Sequence, residues 1–300
     1  MEYSEQPVLF LEQDVDNALG NRNWRWWAAF EGDRAVLPEA MVSSGHQVAD
    51  GSIIFSGDTF DDHYRGMVQA ELSRAPQADI EAYAQRADDR IVVTAWITNL
   101  SASTLGPETS ASVSALVYED THVLLTDRFV RAAPYDTVYP ALAPGGVRAF
   151  RLETDALSGV AWDRLHTVVL VDYRPQGSEA YDMLQAAPAG PGTFTLTPGA
   201  ITFLVDERGR HTGPVDLHLR GVFEGWVAMQ HPDWITVSPG SGTLNDKPIA
   251  SLAGETLSPG WQHGDIELLV TGVAGEAWTE YVAVSVYQGT VYHPYLPVVR

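Results

Sequence analysis

The chain has 300 residues, enough for two or three domains, and its 45% hydrophobic and 10% aromatic content supplies packed cores and argues against disorder. A net charge of −21 is spread evenly along the chain, and Lys247 is the only lysine, so nucleic acid is disfavoured as a partner because phosphate binding needs clustered Lys and Arg. Zero cysteines exclude disulfides, thiolate catalysis and Cys-based zinc or iron–sulfur sites.

No apolar run reaches the roughly 18 residues of a membrane-spanning helix. The opening Met1-Glu2-Tyr3-Ser4-Glu5 is acidic and polar, unlike a signal peptide. In the first segment, Pro7-Val8-Leu9-Phe10-Leu11-Glu12 suits a buried strand, and Asp14 to Asn23 is turn-rich. A dense aromatic patch follows at Trp24, Arg25, Trp26 and Trp27. Leu37-Pro38 precedes a strand at Ala40-Met41-Val42, and Ser44-Gly45 is expected to turn the chain toward a further strand at Ile53-Ile54-Phe55. Asp58 or Thr59 can cap a helix in which Asp61 and Asp62 favour the N-terminal dipole. Phe60, Tyr64, Met67, Val68 and Leu72 form its apolar stripe, and Pro76 stops it.

The order strand, helix, proline, strand, turn, strand, helix resembles the back half of a thioredoxin fold, with Pro38 at that fold's cis-proline and Asp58–Arg74 at its last helix. In that family the proline faces redox cysteines; here there are none, so Pro38 is read as structural, fixing a strand entry. The strand at Val8 lacks the βαβ unit that should precede it. Met1 is therefore expected to be an internal or reassigned start, or the family to have lost that half. An upstream Cys-x-x-C would make the chain the remnant of a thiol–disulfide oxidoreductase.

Residues 77–188 change character. Strand-like runs fall at Ala78–Ala84, Arg90–Asn99, Ser112–Glu119, Val123–Ala132, Val147–Glu153 and His166–Tyr173, separated by turn signals such as Gly106-Pro107 and Pro144-Gly145-Gly146. This spacing predicts an antiparallel immunoglobulin-like sandwich. Leu157 to Asp163 is expected to be a short helical crossover whose Trp162 plugs the sandwich. With the phrases Trp162-Asp163-Arg164-Leu165-His166 and Val171-Asp172-Tyr173, a thioredoxin-like module followed by such a sandwich resembles Omp28-like exported proteins.

Ala186–Gly192 is a linker by composition. Beyond it, strands are expected at Phe194–Leu196, Ala200–Val205, Val215–Met229, Trp234–Val237, Ile266–Thr271 and Trp278–Tyr287. The stretch Trp234 to Leu244, with Trp234 anchoring a strand and Pro239-Gly240-Ser241-Gly242 turning out of it, resembles the core phrase of BACON-type sandwich modules. Gly264-Asp265-Ile266-Glu267-Leu268 fits that family too. The last residues, including Tyr292, Tyr295, Leu296, Val298 and Val299, are apolar and proline-punctuated. They resemble the short tails that close many exported bacterial surface proteins; an edge strand covering the last domain is the alternative.

The reading is thus a mainly β chain: a partial thioredoxin-like α/β module (1–76), two immunoglobulin-like sandwiches (77–188 and 189–290, the second BACON-like) and an apolar tail (291–300). The nine histidines show no ligand spacing, Ser241 lies in a turn and not in a hydrolase elbow, and no phosphate loop is present, so neither enzymatic activity, metal nor cofactor is expected. Trp24, Arg25, Trp26 and Trp27 are either a weak sugar-stacking site or core. The expected role is a non-catalytic, acidic, extracellular or cell-surface structural protein of bacterial type, self-assembling through its tail. The alternative is a carbohydrate- or protein-binding surface module.

Overall fold

The computed structural model describes residue 11 and residues 40–42, 44–49, 60–123, 127–177, 181–254 and 257–291. The fold is mainly β and sandwich-rich, and the chain divides into two compact units, 1–190 and 191–300. The expected sites at Trp24, Arg25, Trp26, Trp27, Pro38 and the tail residues Tyr292, Tyr295, Leu296, Val298 and Val299 lie outside the described residues, as does Ile53–Phe55.

In the first unit, β1 (Ala40–Val42) and β2 (Ser44–Ala49) pair antiparallel, so Ser44-Gly45, expected as a turn, opens a strand. Helix α1 (Phe60–Leu72) follows, with Met67 and Val68 buried. Next come β3 (Ala78–Ala87), β4 (Arg90–Asn99), β5 (Ser112–Asp120), β6 (Arg128–Ala132), β7 (Tyr135–Thr137), β8 (Val147–Glu153), β9 (Leu165–Tyr173), β10 (Asp182–Pro188) and the two-residue β11 (Gly190–Pro191). One sheet runs β1-β2-β10-β9-β5-β6 with β7 also on β5, and the other β11-β3-β4-β8. Their inward residues form one core: Val93, Ala95 and Ile97 from β4 join Val113, Ala115 and Val117 from β5 and Val169 and Val171 from β9. At about 1.5–3 kcal/mol for each such aliphatic side chain buried, this two-layer core holds the unit together.

Two further local expectations for this unit are corrected. Ala186–Pro188 is not linker but the end of β10, where Ala186, Ala187 and Pro188 lie opposite Leu170, Val169 and Val168. Pro188, without an N–H, falls at the strand's last position, where a missing donor costs least. The 157–163 crossover reduces to a single 3₁₀ turn, Trp162–Arg164. Polar ties close the unit's ends. Arg74, just beyond α1, pairs with Glu71 at 3.2 Å, ion-pairs with Asp182 and donates to the Met183 carbonyl, fixing the helix end to β10. Buried Glu119 accepts from Arg131 Nε at 2.7 Å and from the Ala161 N–H at 2.9 Å.

The second unit contains β12 (Thr195–Thr197), β13 (Ala200–Val205), β14 (Val215–Asp216), β15 (His218–Arg220), β16 (Gly225–Gln230), β17 (Ile235–Ser238), β18 (Ser241–Gly242), β19 (Ile249–Leu252), β20 (Gly260–Thr271) and β21 (Ala277–Gln288). A five-stranded sheet runs β13-β21-β20-β16-β18, with β13 parallel to β21; β14-β19-β17 form a second sheet and β12-β15 a third. The single run expected at Val215–Met229 is broken into three strands. Gly221 accounts for the break between β15 and β16: its φ is 109°, and a Cβ there would stand 2.6 Å from the Thr193 carbonyl oxygen. Inward positions are buried from every main strand, including Phe203, Trp226, Ile235, Ile266, Leu268 and Val284.

Candidate functional site

Alternation decides what the five-stranded sheet shows to solvent. With Ile266, Leu268 and Val270 inward on β20, and Val282, Val284 and Val286 inward on β21, the intervening residues face outward. The register then sets them in rows. Trp261 lies opposite Tyr287, with Leu204 of β13 beyond it. His263 lies opposite Ser285 and Thr202, Asp265 opposite Ala283 and Ala200, and Glu267 opposite Tyr281. Leu269 comes next, opposite Val227 of β16.

The aromatic end of this face is ordered by its own contacts. The Trp261 and His263 rings are nearly parallel, 5° apart with centroids at 5.9 Å. Tyr287 is tilted against Trp261 at 5.1 Å. His263 Nδ1 is hydrogen-bonded to Ser285 Oγ at 2.9 Å, which fixes the imidazole plane. Gly289 makes room for Tyr287, since a Cβ there would lie 2.8 Å from the phenol oxygen. The platform is open: Trp261 is 56% exposed, and at the far end Tyr281 and Met229 are 57% and 61% exposed. Such large apolar side chains grouped on one face of a sheet mark an interaction surface more often than scattered ones do.

The Ser285–His263 pair is the nearest thing on this face to a nucleophile and its base. Three features argue against that chemistry. The pair stands on a flat, exposed sheet; no carboxylate among the described residues is hydrogen-bonded to the imidazole to orient it; and the surrounding backbone N–H groups are used in the β20–β21 ladder, leaving none converging as an oxyanion hole. The arrangement can stack and hydrogen-bond a ligand.

The sheet's edge is the second feature. Gly199 and Val205 carbonyls accept from Ala283 and Gly289, so odd-numbered β13 residues bond toward β21. On the other edge, Leu204 exchanges bonds with Thr212 at 3.1 and 3.2 Å. No strand among the described residues pairs with β13 beside Ala200 and Thr202.

Of the residues singled out in the sequence, Trp162 is partly buried against the first unit's core, with the Arg86 guanidinium 3.9 Å above its ring. Trp234 is half-buried just before β17, and its carbonyl accepts from the Ala253 N–H at 2.9 Å. The residues of that strand inside the core are Ile235 and Val237, and the fully buried tryptophan of the unit is Trp226. Trp261, His263, Tyr281 and Tyr287 were not singled out. Their signal was the period of two over 261–271 and 277–288, which separates an aromatic and polar set from an aliphatic one.

No protein-family model and no curated protein matches the chain. Among solved structures it is similar to HBP35 of Porphyromonas gingivalis at 10% identity and a TM-score of 0.34, over 74% of this chain and 68% of that one. It is similar to dimeric latent PorU from the same organism at 11% identity and TM-score 0.21, over 72% of this chain and 25% of that one. A GH20 exo-β-N-acetylglucosaminidase from Vibrio harveyi matches at 12% identity and TM-score 0.21, over 42% and 21%. Likeness at this level carries no argument about activity. No helix among the described residues is long and apolar enough to cross a membrane.

Proposed function

We propose that the chain is a non-catalytic extracellular surface protein whose second unit is a binding module, with the outer face of β20 and β21 as its binding surface. The observation that carries this reading is the exposed, mutually ordered Trp261–His263–Tyr287 group on rigid strands. Stacking side chains held in place lose little freedom when a ligand arrives, so more of the contact free energy is retained as affinity. The resemblance of the tail to those of exported surface proteins supports an extracellular location, and the resemblance of the modules to immunoglobulin-like and BACON-type sandwiches supports a binding or spacing role. The test is Trp261→Ala with Tyr281→Ala in the full chain. The pair of changes should abolish binding to whichever surface component the wild type takes up and leave the unfolding transition unchanged. Undiminished binding by the variant overturns the reading.

Assembly through the tail is a second reading, favoured by the open edge of β13. The strand Ala-Ile-Thr-Phe-Leu-Val carries no charge and no proline, the usual guards against edge pairing. A neighbour's tail could add there by backbone pairing, which needs little side-chain specificity. Deleting residues 291–300 should then abolish higher assemblies in size-exclusion chromatography while both units stay folded; unchanged assembly of the truncated chain, or a monomeric intact chain, would sink it.

A further inference from the structure

Resting on the binding face just proposed, we infer that its ligand is a neutral polysaccharide with flat, equatorially substituted sugar rings, lying along the strands from Trp261 to Tyr281. Four observations point there. First, the Trp261 and His263 rings are stacked nearly parallel with Tyr287 tilted against Trp261, so this end of the face offers ordered, exposed aromatic surface to the C–H face of a pyranose. Second, Tyr281 stands six residues along β21 from Tyr287, roughly 20 Å at strand rise, so the two ends are matched by an extended chain of several sugar rings.

Third, the rows between the ends are small or polar: Thr202 with Ser285, then Ala200 with Ala283 beside Asp265, then Glu267. Small side chains leave a shallow track, and hydroxyl and carboxylate groups accept or donate to sugar hydroxyls. Fourth, charge selects among polysaccharides. Asp265 and Glu267 stand on the track, and the whole chain carries −21. Uronate and sulfated chains would meet like charge at close range, where repulsion is least screened. The face therefore rejects anionic chains.

Affinity electrophoresis of the full chain tests this in gels containing soluble cellulosic glucan, glucomannan or xylan, and in parallel gels containing alginate or polygalacturonate. The expected result is retardation by at least one neutral polymer, none by the anionic ones, and a weakening of about tenfold or more in Trp261→Ala. Tyr281→Ala should weaken binding to long chains but leave binding to short oligosaccharides of the same polymer unchanged. Retardation by the anionic polymers, no retardation by any neutral one, or retardation unaffected by Trp261→Ala each overturns the inference. Light scattering on the same samples separates the two levels of failure. If no glycan binds but Trp261→Ala dissociates a wild-type oligomer, the face still binds, its occupant being a second copy. If neither changes, the binding-face reading falls as well.

Discussion

The two units each contain a sheet whose residues alternate between a core side and an outer side, but the first unit's outer side is covered at one end of β5 and β9, whereas the second unit's is open along β20 and β21. In the first unit, opposite the core residues Val113, Ala115, Val169 and Val171, strands β5 and β9 present Ser112, Ser114, Leu116, Leu170 and Asp172, and all five are buried. In the second unit the corresponding side of β20 and β21 presents Trp261, His263, Asp265 and Tyr281, all exposed. The covered stretch thus mixes two leucines with two serines and an aspartate, while the open side sets aromatic rings beside acids. Hydroxyls and a carboxylate can be covered when most of them find hydrogen bonds, although the Ser114 hydroxyl has no partner among the described residues. Aromatic side chains left in water gain less for the fold than buried ones, and grouped on one ordered face they mark an interaction surface.

A carboxylate introduced on each side should break the symmetry most sharply. Leu170→Asp places an unpaired charge on the covered side, facing Ser114 across the β5–β9 ladder, and should cost more than about 3 kcal/mol. Val227→Asp on the open side should stay within about 0.5 kcal/mol, because that position is already solvated. Urea unfolding of the full chain measures both. Comparable losses would mean that the second unit's face is covered in solution, and the contrast would collapse.

Glu119→Ala should come next in size. Its carboxylate is buried and joins Arg131 Nε to the Ala161 N–H, closing the loop that carries Trp162. Removing it strands one charged and one backbone donor, at about 2–3 kcal/mol. Glu119→Gln keeps an acceptor for Ala161 and should lose less. Thermal unfolding that ranks Gln at or below Ala would show that the shape of the site, not its hydrogen bonds, is what matters.

The legible part of the fold follows from where period and punctuation are strong. Arg90–Asn99 is marked in the sequence by a β-branched run between turn residues, and β4 has those bounds. Helix α1 falls within the stretch bracketed by Asp58 and Pro76. What was not legible depended on neighbours distant in sequence. The break at Gly221 comes from the approach of Thr193, and the strand character of Ala186–Pro188 comes from β9. The exposed face was hidden for the same reason. Trp261 and Trp226 are both strand tryptophans, and only the register and the second layer make one 56% exposed and the other 2%. Trp24 to Trp27 are dense in sequence, whereas Trp261 and Tyr287 are 26 positions apart and become neighbours only across β20 and β21.

Gly289→Ala should have a smaller effect, confined to the open side. The added methyl would stand 2.8 Å from the Tyr287 hydroxyl oxygen and force the ring off its place against Trp261. Stability should fall by no more than about 1 kcal/mol, while affinity for any ligand of the platform should fall more than stability does. Equal affinity for wild type and variant, measured by titration calorimetry, would remove Tyr287 from the binding surface.

The smallest effect concerns Asp206, at the end of the edge strand β13. Burial alone would push its carboxyl up, but hydrogen bonds from the Arg210 and Arg208 backbone N–H groups and the Arg210 guanidinium outweigh it and hold the group below the ordinary carboxylate range. The folded protein therefore binds this proton less readily than the unfolded chain. The resulting stabilisation is complete above the unfolded carboxylate value, near 4, and is lost as pH falls through the lowered folded value. Asp206→Asn removes the titration but keeps an acceptor for the turn. The gap in melting temperature between wild type and Asp206→Asn should be widest near neutral pH and close below about pH 4. Because this turn engages Leu204 through Thr212, the closing gap should be accompanied by faster amide exchange at Leu204 and Thr212, with β20 unaffected. A gap that widens in acid would reverse the sign of the linkage and show that burial, not hydrogen bonding, governs this carboxylate.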